Sequence, residues 1–329
     1  MDKFIERFVD AEFRIIGNNN NIDTECVCKR FTEEVRKLDN SSFLVLLTTA
    51  GYIPDKYNAD SKEETLFSKL CEVLEVIWAL KMGFEGIYIT QKSSYEDVNI
   101  IIDNSIIVSD TKTFRLSRSQ QAPNVKDFVK PEDYRKWIGR FNINKLGGLV
   151  VYPQLHEWSR GSDAHVYCSD KLNPIVMLPF HYLAYLYHAK LRLNYDTSRI
   201  KELWDYNIIF PNTVSNRIEY WKNINYKILD ITGDKISDFC NFLHEADQLL
   251  FSVVQDTIIN IKREKTRKIK SIEESINLLK EADLRHIYTQ YRIDQETSTL
   301  EQQINRIKKF RLNEEENQTQ YFNFIDKSF

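Results

Sequence analysis

The sequence predicts an α/β (α+β) fold: a mixed central sheet flanked by helices, followed by a large helical C-terminal subdomain. Three observations predict it. Short apolar runs at 95–102, 106–112, 146–153 and 173–178 alternate with stretches of helical periodicity, the order from which a sheet covered by helices is built. The first two runs are separated only by the polar pair Asp103-Asn104, which reads as a tight hairpin turn. From about Lys235 onward the chain is almost continuously helix-like and lacks proline and glycine.

Taken in order, residues 2–16 and 24–50 read as amphipathic helices separated by the polar joint Asn18 to Asn21, giving a helical N-terminal layer over 1–60. Gly51, Pro54 and Asp60 then mark turns. The run 61–80 has helical periodicity, with Ser61 and Glu64 spaced as a capping box and Gly83 near its end. Glu72 and Glu75 on this helix are expected to face solvent, although both lie close enough in sequence to approach the centre described next. The hairpin strands follow, then Leu146 to Pro153 as a core strand, and Asn173 to Leu178 as another leading into a helix over 179–193. Residues 61–234 are assigned to the catalytic core, and 235–329 to a helical subdomain for dimer contact or for clasping DNA.

The chemistry is concentrated where the second hairpin strand ends. Side chains alternate faces along a strand, so Asp110 and Lys112 project from one face roughly 6.6 Å apart. The hairpin brings Asp97 beside Asp110. Two adjacent carboxylates repel unless a cation neutralises them, and oxygen ligands with no nearby Cys or His favour Mg²⁺ over Zn²⁺. Lys112 then faces the metal-bound water or a scissile phosphate, an arrangement suited to phosphodiester hydrolysis. Asp-x-Lys alone arises by chance in most chains of this size; the buried-type run before it, the partner strand and the arginines behind it give it weight.

Composition bounds the remainder. A chain of 329 residues with 42% hydrophobic residues supports a substantial core. No window of eighteen apolar residues occurs, and the charged, amphipathic start is unlike a signal peptide, so a cytoplasmic location without membrane contact is expected. The five cysteines (Cys26, Cys28, Cys71, Cys168 and Cys240) form no CxxC framework and are expected to be reduced. A formal net charge of −3 gives no bulk attraction to nucleic acid, so binding must come from local placement. One basic strip runs from Lys112 through Arg115, Arg118, Lys126, Lys130, Arg135 and Lys136 to Arg140. A second, over 262–270, reads as a solvated helix face. His156 and His165 lack zinc spacing, and Tyr182, Tyr185 and Tyr187 are expected in the core. Walker, GxGxxG and GxSxG motifs are missing from the sequence.

The pattern Asp…Asp-x-Lys is that of the PD-(D/E)XK nucleases. More specifically, Asp110-Thr-Lys-Thr-Phe-Arg-Leu-Ser-Arg118 with the upstream Glu96-Asp-Val98 resembles the HindIII-type restriction endonuclease family. The resemblance extends more weakly through Glu64 to Lys69, Lys126 to Phe128, the Trp137 region and Leu203-Trp204. It implies Asp97 and Asp110 as metal ligands with Thr111, Lys112 as the catalytic lysine, and Asp127 as a further acidic residue. Glu96 stands where the family has glycine, and the spacing to Asp110 is slightly shorter, so Glu96 and Asp97 both remain open for the upstream position. The resemblance further implies a Mg²⁺-dependent type II restriction endonuclease. It would act as a homodimer on a palindromic site in double-stranded DNA, leave 5′-phosphate and 3′-hydroxyl ends, and be accompanied by a cognate DNA methyltransferase. AAGCTT is the first target to test. Arg115, Ser117, Arg118, Gln120, Gln121, Asn124 and Lys126 carry the donors and acceptors for DNA contact. Two other readings stand beside it: a structure-selective repair or recombination nuclease of the same fold, and a non-catalytic DNA-binding protein, against which the intact Asp97, Asp110 and Lys112 count.

Overall fold

The hairpin is the centre of the fold. In the computed structural model β3 (Val98–Ile102) and β4 (Ser105–Thr111) pair antiparallel around Asp103 and Asn104. Both turn residues have positive φ, 47° and 60°, the left-handed pair that a two-residue type I′ turn requires. Three further strands complete the sheet. A short edge strand, β2 (Glu85–Tyr88), lies antiparallel to β3, while β6 (Asn144–Tyr152) lies parallel to β4 and β7 (Ile175–Pro179) parallel to β6. The order is β2-β3-β4-β6-β7, a mixed sheet as the sequence predicts. Separately, β1 (Tyr52–Ile53) pairs in parallel with β5 (Phe114–Arg115), just beyond β4. The structure describes residues 3–16, 22–89, 95–117, 129–153, 167–210, 217–277 and 282–308.

Helices α1 (Phe4–Ile16), α2 (Thr24–Arg36) and α3 (Asn40–Thr49) precede the sheet. The single helix expected over 24–50 is therefore broken. Asp39 is the cause: its carboxylate accepts from Ser42 N at 2.7 Å, starting a new helix where the old one would have continued. The next helix, α4 (Lys62–Met82), begins as predicted, with Ser61 Oγ accepting from Glu64 N at 3.2 Å. Glu64 returns the bond to Asp60 N at 2.6 Å, one residue earlier than a standard capping box. Gly83, at φ 94°, ends the helix in the left-handed conformation.

Helix α5 (Pro131–Gly139) precedes β6, and α6 (Phe180–Leu193) follows β7 directly. A 3-10 segment over Thr197–Trp204, the short α7 (Tyr206–Ile209) and α8 (Arg217–Thr232) lead to the long pair α9 (Ile236–Ile276) and α10 (Ala282–Ile307). One hydrophobic core runs from Ile5 on α1 through the sheet to Leu243 on α9, so the N-terminal helices share it with the strands. Tyr182 and Tyr185 lie within it, as predicted. A smaller cluster joins Leu116, just after β5, to Val254, Ile258, Ile261, Ile304 and Ile307 of the last two helices. None of the five cysteines is in a disulfide. No described helix is long and apolar enough to cross a membrane.

Leu203-Trp204, a distant part of the family resemblance, turns out to support β6 from behind. Trp204 Nε1 donates to Gly148 O at 2.8 Å. The register between β4 and β6 slips between Ile106 and Ile107, and Gly147 sits at that slip. A Cβ on Gly147 would lie 2.1 Å from the Pro174 carbonyl oxygen and 2.7 Å from Trp204 Cδ1. Backbone on one side leaves no room to relax. Gly147→Ala is expected to destabilise the protein by about 1–3 kcal/mol or more, read as a lower urea midpoint with unchanged denaturant slope.

Candidate active site

Strand β4 ends in Asp110 and Thr111, with Lys112 next. Period-two alternation puts Asp110 and Lys112 on one face and Ser109 and Thr111 on the other. Lys112 Nζ lies 2.6 Å from Asp110 Oδ2, so the two predicted groups do share a face. Asp97 enters from the partner strand. Its N–H donates to Ser109 O and its Oδ2 accepts from Thr111 N, both at 2.9 Å, so a carboxylate continues the ladder where β3 stops. Burial, followed by the negative charge of Glu72 and Asp110, pushes the Asp97 carboxyl up to about 8.

Helix α4 runs alongside the strand end and meets it at regular intervals. Glu64 Oε2 is 3.0 Å from Arg115 Nη2, Ser68 Oγ and Thr113 Oγ1 are 2.8 Å apart, and Thr111 Oγ1 donates to Glu75 Oε2 at 2.5 Å. Positions 64, 68, 72 and 75 recur every three or four residues and share one helix face. Glu72, on the same face, is ion-paired with Lys69, which also donates to Ile89 O at 2.5 Å. The expectation that Glu72 and Glu75 face solvent is thus corrected: Glu75 is fully buried and the Glu72 side chain is 12% exposed. Every residue of α4 from Val73 to Ala79 is buried, so this part of the helix, which holds Glu75 and is bordered by Glu72, leaves no solvated face. That all-round apolar pattern, together with the family-like stretch Glu64 to Lys69 one turn earlier, was the signal available in the sequence. Burial pushes both carboxyls up to about 7.

Glu96, the other candidate for the upstream position, points elsewhere. It is buried in an ion pair with Arg140, and Asp97 stands beside Asp110 instead. Two residues predicted to contact DNA are engaged internally. Arg115 donates to Tyr57 O at 2.7 Å and Pro54 O at 3.3 Å besides pairing with Glu64, and the Ser117 hydroxyl donates to Asp55. Both side chains thus anchor the β1–β5 region from within the protein. Arg118, Gln120, Gln121, Asn124, Lys126 and Asp127 lie outside the described residues, as do His156 and His165. Farther along the first basic strip, Arg135 pairs with Asp170 at 2.5 Å and Arg140 with Glu96. The second basic run makes Lys268–Glu264 and Lys270–Glu274 pairs along the helix at 3.9 and 3.7 Å, in line with a solvated face.

Among the described residues no three His, Cys, Asp or Glu side chains converge as a ready ligand set. Lys112 covers Asp110, and Thr111 caps one Glu75 oxygen. The residues nonetheless fit a hard divalent cation. Four carboxylates act on one another here against Lys69 and Lys112, the donors are all oxygen, and buried Glu75 Oε1 has no hydrogen-bond partner.

Compared with known proteins, the chain matches the family model of the HindIII restriction endonuclease over residues 6–290, most of its length. No curated protein matches it.

The internal contacts of Arg115 lead to a measurable difference from a DNA-reading arginine. The side chain and its Glu64 partner are each 20% exposed. Arg115→Ala is expected to lower the unfolding free energy by about 1.5–3 kcal/mol, the range for hydrogen bonds involving a charged group. The salt slope of DNA binding should stay unchanged, whereas loss of a phosphate contact would reduce it by about one unit.

Proposed function

Because the chain belongs to the HindIII restriction endonuclease family and is a type II site-specific deoxyribonuclease, we propose that its scissile phosphate is hydrolysed at the end of β4 with Mg²⁺ as cofactor. The observation that carries this reading is the close approach of Asp110 and Lys112 at a strand end where Asp97 is hydrogen-bonded to the same strand. Asp97 and Asp110 are the proposed metal ligands. Thr111 would join them through its carbonyl or its hydroxyl oxygen, which donates its proton to Glu75 and keeps its lone pairs. Bound Mg²⁺ would lower the pKa of a water and neutralise charge on the phosphate. Lys112 exchanges its contact with Asp110 for the phosphate or the attacking water. Glu75 holds Thr111, and through it the end of the strand, at a fixed height.

A homodimer acting on a palindromic site follows from the same reading, since a twofold axis places one centre on each strand. The ends would be 5′-phosphate and 3′-hydroxyl. AAGCTT is the proposed first target, and a methyltransferase of the same specificity the proposed companion. The C-terminal part of the chain, residues 235–329, is proposed to supply dimer contact or to clasp DNA.

Asp110→Ala and Lys112→Ala are each expected to reduce plasmid cleavage by at least about 10²-fold while binding in Ca²⁺ persists. Near-normal cutting by either variant would refute the assignment. Millimolar Mg²⁺ or Ca²⁺ should raise the melting temperature of the wild type and leave that of Asp110→Asn unmoved, because the cation relieves repulsion among buried carboxylates. On plasmid DNA the wild type should give discrete bands and elute as a dimer; a smear would favour structure-selective cleavage.

A further inference from the structure

Tyr134 on α5 is 1% exposed, and its hydroxyl has no hydrogen-bond partner among the described residues. Three other covered tyrosines are satisfied: Tyr182 by Asn225 at 2.9 Å, Tyr185 by Asp234 at 2.7 Å, and Tyr57 by Asp10 at 3.0 Å. A buried, unpaired hydroxyl costs free energy that phenylalanine would avoid, so the group calls for a partner in another state of the protein.

The fold indicates which partner. A Cβ on Gly148 would lie 2.2 Å from Tyr134 Cδ1, so the ring rests on the space that this glycine leaves. Gly148 is opposite Val108 in the β4–β6 register. Paired residues in neighbouring strands point to the same side, so Tyr134 lies over the face of β4 that carries Val108 and, one repeat on, Asp110. Of the charges acting on the phenol, Asp110 comes first, ahead of Cys168, Asp97 and Glu75.

We propose that Tyr134 is a positioning residue for the hydrolysis, its hydroxyl donating to the Asp110 carboxylate once Lys112 turns from that carboxylate to the phosphate. The inference rests on the reading of the site given above. While Lys112 is paired with Asp110 it is not available to substrate. Its departure removes the lysine that orients a carboxylate only 13% exposed, and a neutral donor then keeps that carboxylate turned toward the metal it would bind. A phenol carries its proton at neutral pH, so the group acts as donor, not base.

Tyr134→Phe removes the hydroxyl and keeps the ring on Gly148. The variant, the wild type and Asp110→Asn would be compared in three measurements: single-turnover cleavage of plasmid DNA in Mg²⁺, calorimetric titration with Ca²⁺, and thermal melting. Tyr134→Phe is expected to lose about 10- to 100-fold in cleavage rate or in Ca²⁺ affinity, the usual effect of removing a group that orients a metal ligand. Its melting temperature should be unchanged or raised. Unchanged rate and Ca²⁺ affinity would overturn the proposal. So would a slower rate accompanied by a lower melting temperature and unaltered Ca²⁺ affinity, which is the mark of a packing role alone. Asp110→Asn separates the two levels of inference: if it still binds Ca²⁺ and cuts DNA, the site itself is misassigned, whereas a normal Tyr134→Phe beside an inactive Asp110→Asn removes only the role of Tyr134.

Discussion

Four carboxylates gathered around one strand end are the constraint on which the rest of this structure depends. Asp97, Asp110, Glu72 and Glu75 repel one another in a region shielded from water, and each neighbour that would relax them is drawn into a fixed place. Lys112 is held on Asp110, Lys69 on Glu72, and the Thr111 hydroxyl on Glu75. Even with these partners, burial and mutual repulsion push the carboxyls of Asp97, Glu72 and Glu75 upward. An arrangement with this much like charge is poor design for stability alone. It is what a site must look like if it is built to receive a cation.

The same constraint explains why α4 is so long and so deeply set. Two of the four carboxylates lie on it: Glu75 meets Thr111 at the strand end, and Glu72 is paired with Lys69 on the helix itself. The helix rises 1.5 Å per residue and the extended chain about 3.3 Å, so seven helical residues span roughly the same length as three or four extended ones. The eleven helical steps from Glu64 to Glu75 rise about 16.5 Å and the four extended steps from Arg115 back to Thr111 about 13 Å, so side-chain reach takes up the small difference. Helix and strand are therefore in register along the site. The family resemblance touches both stretches because their side chains are mutually dependent.

Legibility in the sequence followed the range of the interaction. The Asp103-Asn104 turn, the shared face of Asp110 and Lys112, and the start of α4 at Ser61 are set by a few neighbouring residues, and each was readable. The break at Asp39 was also local, but an uninterrupted apolar pattern on either side masked the cap. Strand β2 escaped notice because Glu85-Gly-Ile-Tyr88 is short, lies on the sheet edge and alternates only partly. What the sequence could not give was partnership over distance. Arg115 and Ser117 look like free donors until Tyr57, Glu64 and Asp55 are brought to them by the pairing of β1 with β5. Glu96 and Asp97 are adjacent, and only the hairpin register decides which one reaches Asp110.

These anchors bear on how recognition is tied to chemistry. The segment 118–128, to which the sequence assigns most of the DNA-contacting side chains, is preceded by Arg115 and Ser117, fixed against 54–64. It is followed by α5, whose Tyr134 is fixed against Gly148. Both flanks thus refer back to the two neighbours of β4: helix α4, through Glu64, and strand β6, through Gly148. A net charge of −3 supplies no general pull toward DNA, and Arg135 and Arg140 are already neutralised by Asp170 and Glu96. If the segment 118–128 makes the DNA contacts proposed for it, both of its ends are tied to the neighbours of the strand carrying Asp110. Bases bound by such a segment would move the phosphate relative to Lys112 directly, which gives a site-specific nuclease a physical reason to keep its recognition loop and its catalytic strand on one rigid frame.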